Sequence, residues 1–290
     1  MRKRATARAS VVAAVALLFG CGGTDGSLSD GTAAPTGAPS SPPPPTSDGA
    51  NPAPSKGTAN GFSWAFSPTS VGFDCNEPPD KLLAKGVTHV TVGNATVFAG
   101  MQQVGGNDQD PVVARYDGST KIFCEHSKKG GGVDGRAYGV TWDGAGKLYV
   151  VFTIVGGGTL FDSAARGGWL DRYGDGGASA KVSVIGALDA TTGVVQRATY
   201  VSSKLLRNGQ LKTNTLGPAD AVHVLADGAL EFYGQPAFCT LNPDKSLMCD
   251  TASSPSKDYP KGYVARFSPD LTSMTCASAS GVSLVKQPCK

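Results

Sequence analysis

Between residues 87 and 277 the chain runs through six pairs of short segments in which apolar and polar residues alternate. Most of the pairs are joined by a few residues that tolerate positive φ. Alternation with period two places every second side chain on one face of an extended strand, and a two-residue Asp-Gly or Asn-containing link turns the chain back on itself. The pairs are 87–92 with 96–101 about Gly93-Asn94, 112–116 with 121–126 about Asp117-Gly118, and 138–142 with 147–154 about Asp143-Gly144-Ala145-Gly146. They continue with 181–188 and 194–201 about 189–193, 221–225 and 229–233 about Asp227-Gly228, and 262–267 with 273–277. A thirteenth segment, 62–66, reads as an outer strand that pairs with the C-terminal unit.

Composition agrees with an all-β chain. Glycine, at 39 residues, is close to double the usual share of about 7%. Glutamate, a good helix former, occurs only at Glu77, Glu125 and Glu231. Helices are expected to be few and short.

The hairpins alternate between two kinds. The first is seen at Val90-Thr91-Val92-Gly93-Asn94-Ala95-Thr96-Val97-Phe98, at Gly139-Val140-Thr141-Trp142-Asp143-Gly144-Ala145-Gly146-Lys147-Leu148-Tyr149 and at Ala221-Val222-His223-Val224-Leu225-Ala226-Asp227-Gly228-Ala229-Leu230-Glu231-Phe232-Tyr233. The second is seen at Val113-Ala114-Arg115-Tyr116-Asp117-Gly118, at Ile185-Gly186-Ala187-Leu188-Asp189 and at Val264-Ala265-Arg266-Phe267-Ser268-Pro269-Asp270. Together they make a four-stranded repeat that resembles the bacterial β-propeller repeats of exported proteins, each unit of which makes one blade. The resemblance implies blades of four antiparallel strands, with 155–180 and 202–218 leaving them as loops. Three repeats are countable, and a β-sandwich or an open propeller is the alternative architecture.

The N-terminus carries an address. Arg2, Lys3, Arg4 and Arg8 precede the apolar run 11–19, which ends at Leu18-Phe19-Gly20-Cys21. A basic start, a short apolar stretch and a small residue at the cut site form a secretory signal, and the run falls short of the roughly 20 residues a membrane span needs. The segment resembles the lipobox of a bacterial lipoprotein precursor. That resemblance implies removal of residues 1–20 as a signal peptide, and acylation (palmitate among the chains) of Cys21 as the first mature residue. Residues 21–58, rich in Gly, Ala, Ser, Thr and Pro and including Pro42-Pro43-Pro44-Pro45, are expected to form a disordered tether. Residues 59–290 are then a single β domain. By the same resemblance, Gly22 after the modified cysteine directs the protein to the outer membrane or cell surface.

Loss of the signal leaves 22 basic against 23 acidic residues, a net charge of about −1. No basic face is available to neutralise phosphates, so nucleic acid is not an expected partner. The expected partners are the membrane, through the lipid, and an envelope protein or glycan.

Besides Cys21 there are six cysteines, an even number that favours disulfides in an exported chain, with fifteen pairings open to sequence. Cys239 with Cys249 is preferred for the short loop between them, Cys276 with Cys289 for pinning the tail, and Cys75 with Cys124 by elimination. The absence of any Cys-x-x-Cys pair argues against a metal centre.

Other constellations are weak. Cys124 and His126 share one strand face but lack a third group to position them. Asn107-Asp108-Gln109-Asp110 and 171–176 offer oxygen ligands without the spacing of a calcium loop, and read as turns. Gly130-Gly131-Gly132 and Gly156-Gly157-Gly158 lack the lysine of a phosphate cradle. His89 and His223 fall mid-strand as ordinary strand residues. Trp142 and Tyr149 read as core, whereas exposure of Trp169 and Tyr173 in the long insertion would mark a sugar- or peptide-binding surface. No catalytic residue and no cofactor are expected. The leading expectation is a non-enzymatic cell-envelope lipoprotein that presents its β domain for binding or structural interaction. The alternative is an exported glycan-acting enzyme, which would need two carboxylates about 5 to 10 Å apart across a cleft.

Overall fold

The structure, a computed structural model, describes residues 54–106, 108–127, 134–156, 160–175, 180–249 and 260–290. The expected signal peptide, Cys21, most of the expected tether, Asn107, Gly130-Gly131-Gly132, Gly157-Gly158 and Gly176 lie outside the described residues. The fold is all-β. Its strands are β1 (Ser55–Ala59), β2 (Phe62–Phe66), β3 (Thr88–Val92), β4 (Ala95–Gly105), β5 (Asp108–Asp117), β6 (Thr120–His126), β7 (Gly135–Trp142), β8 (Lys147–Val155) and β9 (Lys181–Asp189). They continue as β10 (Val195–Val201), β11 (Ser203–Arg207), β12 (Gln210–Asn214), β13 (Leu216–Pro218), β14 (His223–Val224), β15 (Leu230–Pro236), β16 (Tyr263–Phe267) and β17 (Met274–Ala279). Two short helices, α1 (Pro79–Ala84) and α2 (Asp162–Ala165), are the helical content among the described residues. Neither is long and apolar enough to cross a membrane.

All six expected hairpins are present, with boundaries within a few residues of expectation. Their turns are held as sequence predicts. The Asp143 carboxylate accepts the N–H groups of Ala145 and Lys147, Asp189 accepts those of Thr191 and Thr192, and Asp227 accepts that of Ala229. Gly93, Gly118, Gly144 and Gly228 take positive φ in these turns, the backbone region that glycine enters without steric cost.

Strands β3, β4, β5 and β6 form a separate four-stranded antiparallel sheet. Apart from β11 and β12, which pair only with each other, the remaining strands make an 11-stranded sheet in the order β1-β2-β7-β8-β9-β13-β15-β16-β17, with β10 also on β9 and β14 also on β15, and this sheet curls as a half-barrel. Strands β7 to β10 and β14 to β17, expected as two separate repeats, therefore lie in one continuous sheet. The insertion 202–218, expected as a loop, supplies the join: β11 and β12 form their own hairpin, and Leu216 of β13 pairs in parallel with Val182 of β9 while β13 runs antiparallel to β15. Leu216 is fully buried, which fixes β13 in place.

Two further differences concern the N-terminal hairpin. Strand β1 begins at Ser55, four residues inside the expected tether, and pairs with β2 along its whole length. Strand β2 pairs with β7, Ser63 opposite Trp142 and Phe66 opposite Gly139, and not with the C-terminal unit. Burial explains the choice. β7 is buried along almost its whole length and would otherwise leave a bare edge inside the protein, where unpaired backbone groups are costly. The C-terminal unit is instead reached by side chains: Asn60 Nδ2 donates to the Val224 carbonyl at 2.7 Å, and Thr141 Oγ1 donates to that of Val222 at 2.5 Å.

The four-stranded sheet packs its inner face on β7 and β8, where Val90, Val97, Ala99, Val113 and Phe123 meet Val140, Trp142, Leu148 and Val150. A second cluster, around Phe232, Leu230, Tyr263, Phe267 and Trp169, packs on the C-terminal strands. Ahead of β3, Glu77 clamps α1 by accepting hydrogen bonds from Lys85 Nζ at 2.6 Å and from the Asp74 N–H at 2.9 Å, with Lys81 Nζ 3.1 Å away. The bond from Lys85 first, then those from Asp74 and Lys81, hold the Glu77 carboxyl at about 2 against the opposing effect of burial.

Candidate functional site

All six described cysteines are paired, Cys75 with Cys124, Cys239 with Cys249 and Cys276 with Cys289, the pairing preferred on sequence. The Cys124 thiol is thus consumed, and no Cys-His nucleophile exists at Cys124 and His126. His126 Nε2 lies 3.2 Å from Asp110 Oδ2 in a recess beside the Cys75–Cys124 bridge, with Asp74, Gln102 and Glu125 around it. Among the described residues, no three His, Cys, Asp or Glu side chains gather as metal ligands would. Asp171 is held by its neighbour Arg172, whose Nε lies 3.0 Å away.

Trp142 and Tyr149 are core residues, as expected. Trp169 and Tyr173, the residues that would have marked a binding loop had they been exposed, are buried too. The Trp169 indole donates to the Pro243 carbonyl at 2.9 Å and meets Phe267 edge-on, and the Tyr173 hydroxyl donates to the Ala180 carbonyl at 2.5 Å. Both rings close the insertion 155–180 onto the sheet, and no sugar platform can be built from them.

Aromatic and titratable groups gather instead where Trp64 of β2 meets the C-terminal strands. The half-buried Trp64 ring stacks on the His223 imidazole, with centroids 4.6 Å apart and planes 28° apart, and His223 in turn meets Tyr233 edge-on at 5.4 Å. On its β1 side Trp64 lies across Gly57, its partner in register, so closely that a Cβ there would come within 2.8 Å of the ring. This is the cross-strand covering of a glycine by an aromatic ring. His223 Nε2 lies 3.3 Å from Asp220 Oδ2.

Beneath the ladder, Glu231 sits opposite both His223 of β14 and Arg266 of β16 in register. Its two oxygens are taken, Oε1 by a short hydrogen bond from the Tyr233 hydroxyl and Oε2 by Arg266 Nε at 2.6 Å. Burial raises the Glu231 carboxyl, but the bonds from Tyr233 and Arg266 and the nearby positive charge outweigh it and hold the group below its ordinary value. Burial first, and then the Glu231 carboxylate, push the Tyr233 hydroxyl up to about 12. The result is an ionised Glu231 beside a protonated Tyr233, neither set to exchange a proton near neutral pH. Arg266 Nη2 also donates to the Lys290 carbonyl at 3.0 Å, tying the C-terminus to the same network.

Replacing Glu231 by Gln is expected to cost about 2 kcal/mol, since Arg266 loses its anion in a mostly buried place. Urea denaturation of the variant against the parent checks it. Glu77 and Glu231 are both depressed, so the stability they contribute is present above the ordinary carboxylate value of 4.5 and is lost as pH falls through it toward their folded values. The urea midpoint should therefore fall between about pH 5 and pH 3, and fall less in a Glu77→Gln, Glu231→Gln double variant.

On the outer side of Trp64 a shallow recess opens between β1 and β3, lined by Lys56, Gly57, Thr58, Ser63, Trp64, His89, Val90 and Thr91. His89 is fixed in it: Nδ1 lies 2.8 Å from the Val87 carbonyl, which makes Nδ1 the protonated nitrogen, and the ring tilts on Phe98 at 5.6 Å. His89 and His223 stand on strands, as the sequence implies. That β2, carrying Trp64, lies between them is not legible in sequence, because the residues are far apart in the chain. The one local hint is Trp64 itself, an aromatic in an alternating segment.

Comparison with family models, with curated proteins and with solved structures finds no match.

Proposed function

We propose that this chain is a cell-envelope lipoprotein, fastened through acylated Cys21 to the outer membrane or cell surface, whose β domain serves as a non-enzymatic binding module. The observation that carries the reading is the cysteine pattern. Six of seven cysteines are spent in three disulfides, as an oxidising compartment permits, and the one left over stands at the end of a secretory signal. Several acyl chains on that thiol would hold the domain stably at the bilayer, each buried methylene contributing about 0.8 kcal/mol. The domain's architecture is an open, propeller-like arrangement of three repeats, supported by the meanders β3 to β6, β7 to β10 and β14 to β17. The non-enzymatic part of the reading is supported by the engagement of Glu231, Tyr233 and Arg266 with one another, and the binding role by the recess beside Trp64.

Replacing Cys21 by Ala tests the anchor. The variant should move from the membrane to the soluble fraction and lose incorporation of labelled palmitate. A variant that stays in the membrane at the parent's level would contradict the reading.

A further inference from the structure

Two sheet edges that no other described strand pairs border the recess beside Trp64. Strand β1 ends the 11-stranded sheet and β3 ends the four-stranded one. The hairpin registers state which backbone groups these edges present. Ala59 and Phe62 flank the two-residue turn Asn60-Gly61, both residues of which have positive φ, so they form a hydrogen-bonded pair. Bonded and non-bonded pairs alternate along an antiparallel ladder. Gly57 and Ser55 therefore also point their N–H and C=O groups at β2, while Lys56 and Thr58 point theirs outward. The same count from Val92 and Ala95 about Gly93-Asn94 turns the backbone of His89 and Thr91 outward from β3. No backbone hydrogen bond from another described element reaches Lys56, Thr58, His89 or Thr91. All four residues line the recess.

Each edge thus offers two N–H and C=O sets spaced two residues apart, the spacing at which an added strand bonds. The charge is one-sided as well. Lys56 and His89 are the titratable side chains of the lining, no carboxylate accompanies them, and Lys56 has no ion-pair partner among the described residues. β1 itself is largely exposed and, Lys56 apart, made of small residues, Ser55, Gly57, Thr58 and Ala59, with Gly57 kept bare of a side chain by Trp64. An incoming backbone meets little steric resistance there.

We propose that this recess receives an extended segment of a partner envelope protein, added as a strand to the edge of β1, with an acidic side chain beside Lys56 and His89. This deepens, and rests on, the reading of the domain as a binding module. It does not depend on the lipid.

The test uses the full chain carrying Cys21→Ala and, as probe, a short capped peptide of alternating valine and threonine with one central aspartate. Hydrogen exchange with the peptide present should slow at residues 56–58. Affinity should drop by at least about tenfold when the amides of one peptide edge are N-methylated, and should drop when the aspartate becomes lysine. Thr58→Pro, which removes an outward N–H from an edge strand that can hold proline, should abolish binding. Lys56→Glu should reverse the preference, so that the lysine peptide binds better, and this variant carries the test if Thr58→Pro fails to fold. Equal binding of the N-methylated peptide, unchanged exchange at 56–58, or no effect of Lys56→Glu would overturn the proposal. So would a chain that sediments as a dimer with 56–58 already protected, because the occupant would then be a second copy. Because the test protein carries no lipid, a failed peptide result leaves the anchor standing, and a failed palmitate result leaves the peptide result standing.

Discussion

Replacing Trp142 by alanine is expected to destabilise the domain by about 4 kcal/mol, at the upper end of what truncating one side chain costs. Trp142 ends β7 with no exposed surface, packed among Val140, Leu148 and the apolar face of the four-stranded sheet. Its indole donates to the Ala145 carbonyl at 3.3 Å, bracing the turn that follows. The Arg115 guanidinium of β5 lies 5.0 Å from the ring centroid while it also bonds Asp117 and the Ala190 carbonyl at 2.9 Å. One ring therefore joins the two sheets by apolar burial, a cation–π contact and a turn hydrogen bond. Truncation leaves a cavity that the rigid strands on either side cannot collapse to fill, and removes the surface under Arg115. Trp142→Phe keeps most of the volume and loses the N–H, so it should cost about 1 kcal/mol. Urea denaturation followed by far-ultraviolet circular dichroism separates the two variants. A loss under about 1 kcal/mol for the alanine variant would show that the sheets do not depend on this contact.

The second large effect is expected at the Cys75–Cys124 bridge. It spans 49 positions, against 10 for Cys239–Cys249 and 13 for Cys276–Cys289. Chain entropy in the unfolded state grows with the loop closed, so removing the long bridge should cost about 4 kcal/mol and either short one about 3. Position reinforces the ranking. Cys75 precedes α1 and the whole four-stranded sheet, and Cys124 lies on the last strand of that sheet, so the bond ties its entry to its exit. Replacing both cysteines of a pair by alanine, one pair at a time, should lower the thermal midpoint most for Cys75 and Cys124. A larger loss from either short bridge would mean that native-state packing outweighs loop entropy in this domain.

The hairpins are legible because each carries its own signal, alternating apolar residues about Asp-Gly or a similar turn, and that signal is local. What escapes sequence has a physical pattern. Strand β1, Ser-Lys-Gly-Thr-Ala, has no apolar face to alternate; it is held by backbone pairing to β2 and by Trp64 over Gly57. The hairpin of β11 and β12 has an Asn208-Gly209 turn with positive φ at both positions, a legible turn whose flanking segments do not alternate and so do not read as strands. Strand β13 is three residues ending in proline, too short to be read, yet burial of Leu216 makes it the join between β9 and β15. The partner of β2 is hidden for a different reason: which edge a strand fills depends on which edge the rest of the fold leaves bare. The Trp64–His223–Tyr233 ladder is hidden in the same way, since topology alone brings β2 beside β14. Trp169 and Tyr173 sit in a segment that reads as loop, but a long insertion in a curled sheet has to be closed by its own large rings.

The proposed anchor, a lipid on one thiol that fixes a disulfide-braced β domain to the cell envelope, is tested most directly by mass spectrometry of the N-terminal peptide from protein extracted out of the membrane fraction. The expected chain starts at Cys21, with the mass of acyl chains on that residue and Gly22 next. A first peptide still carrying residues 1–20, or a Cys21 of unmodified mass, would contradict it.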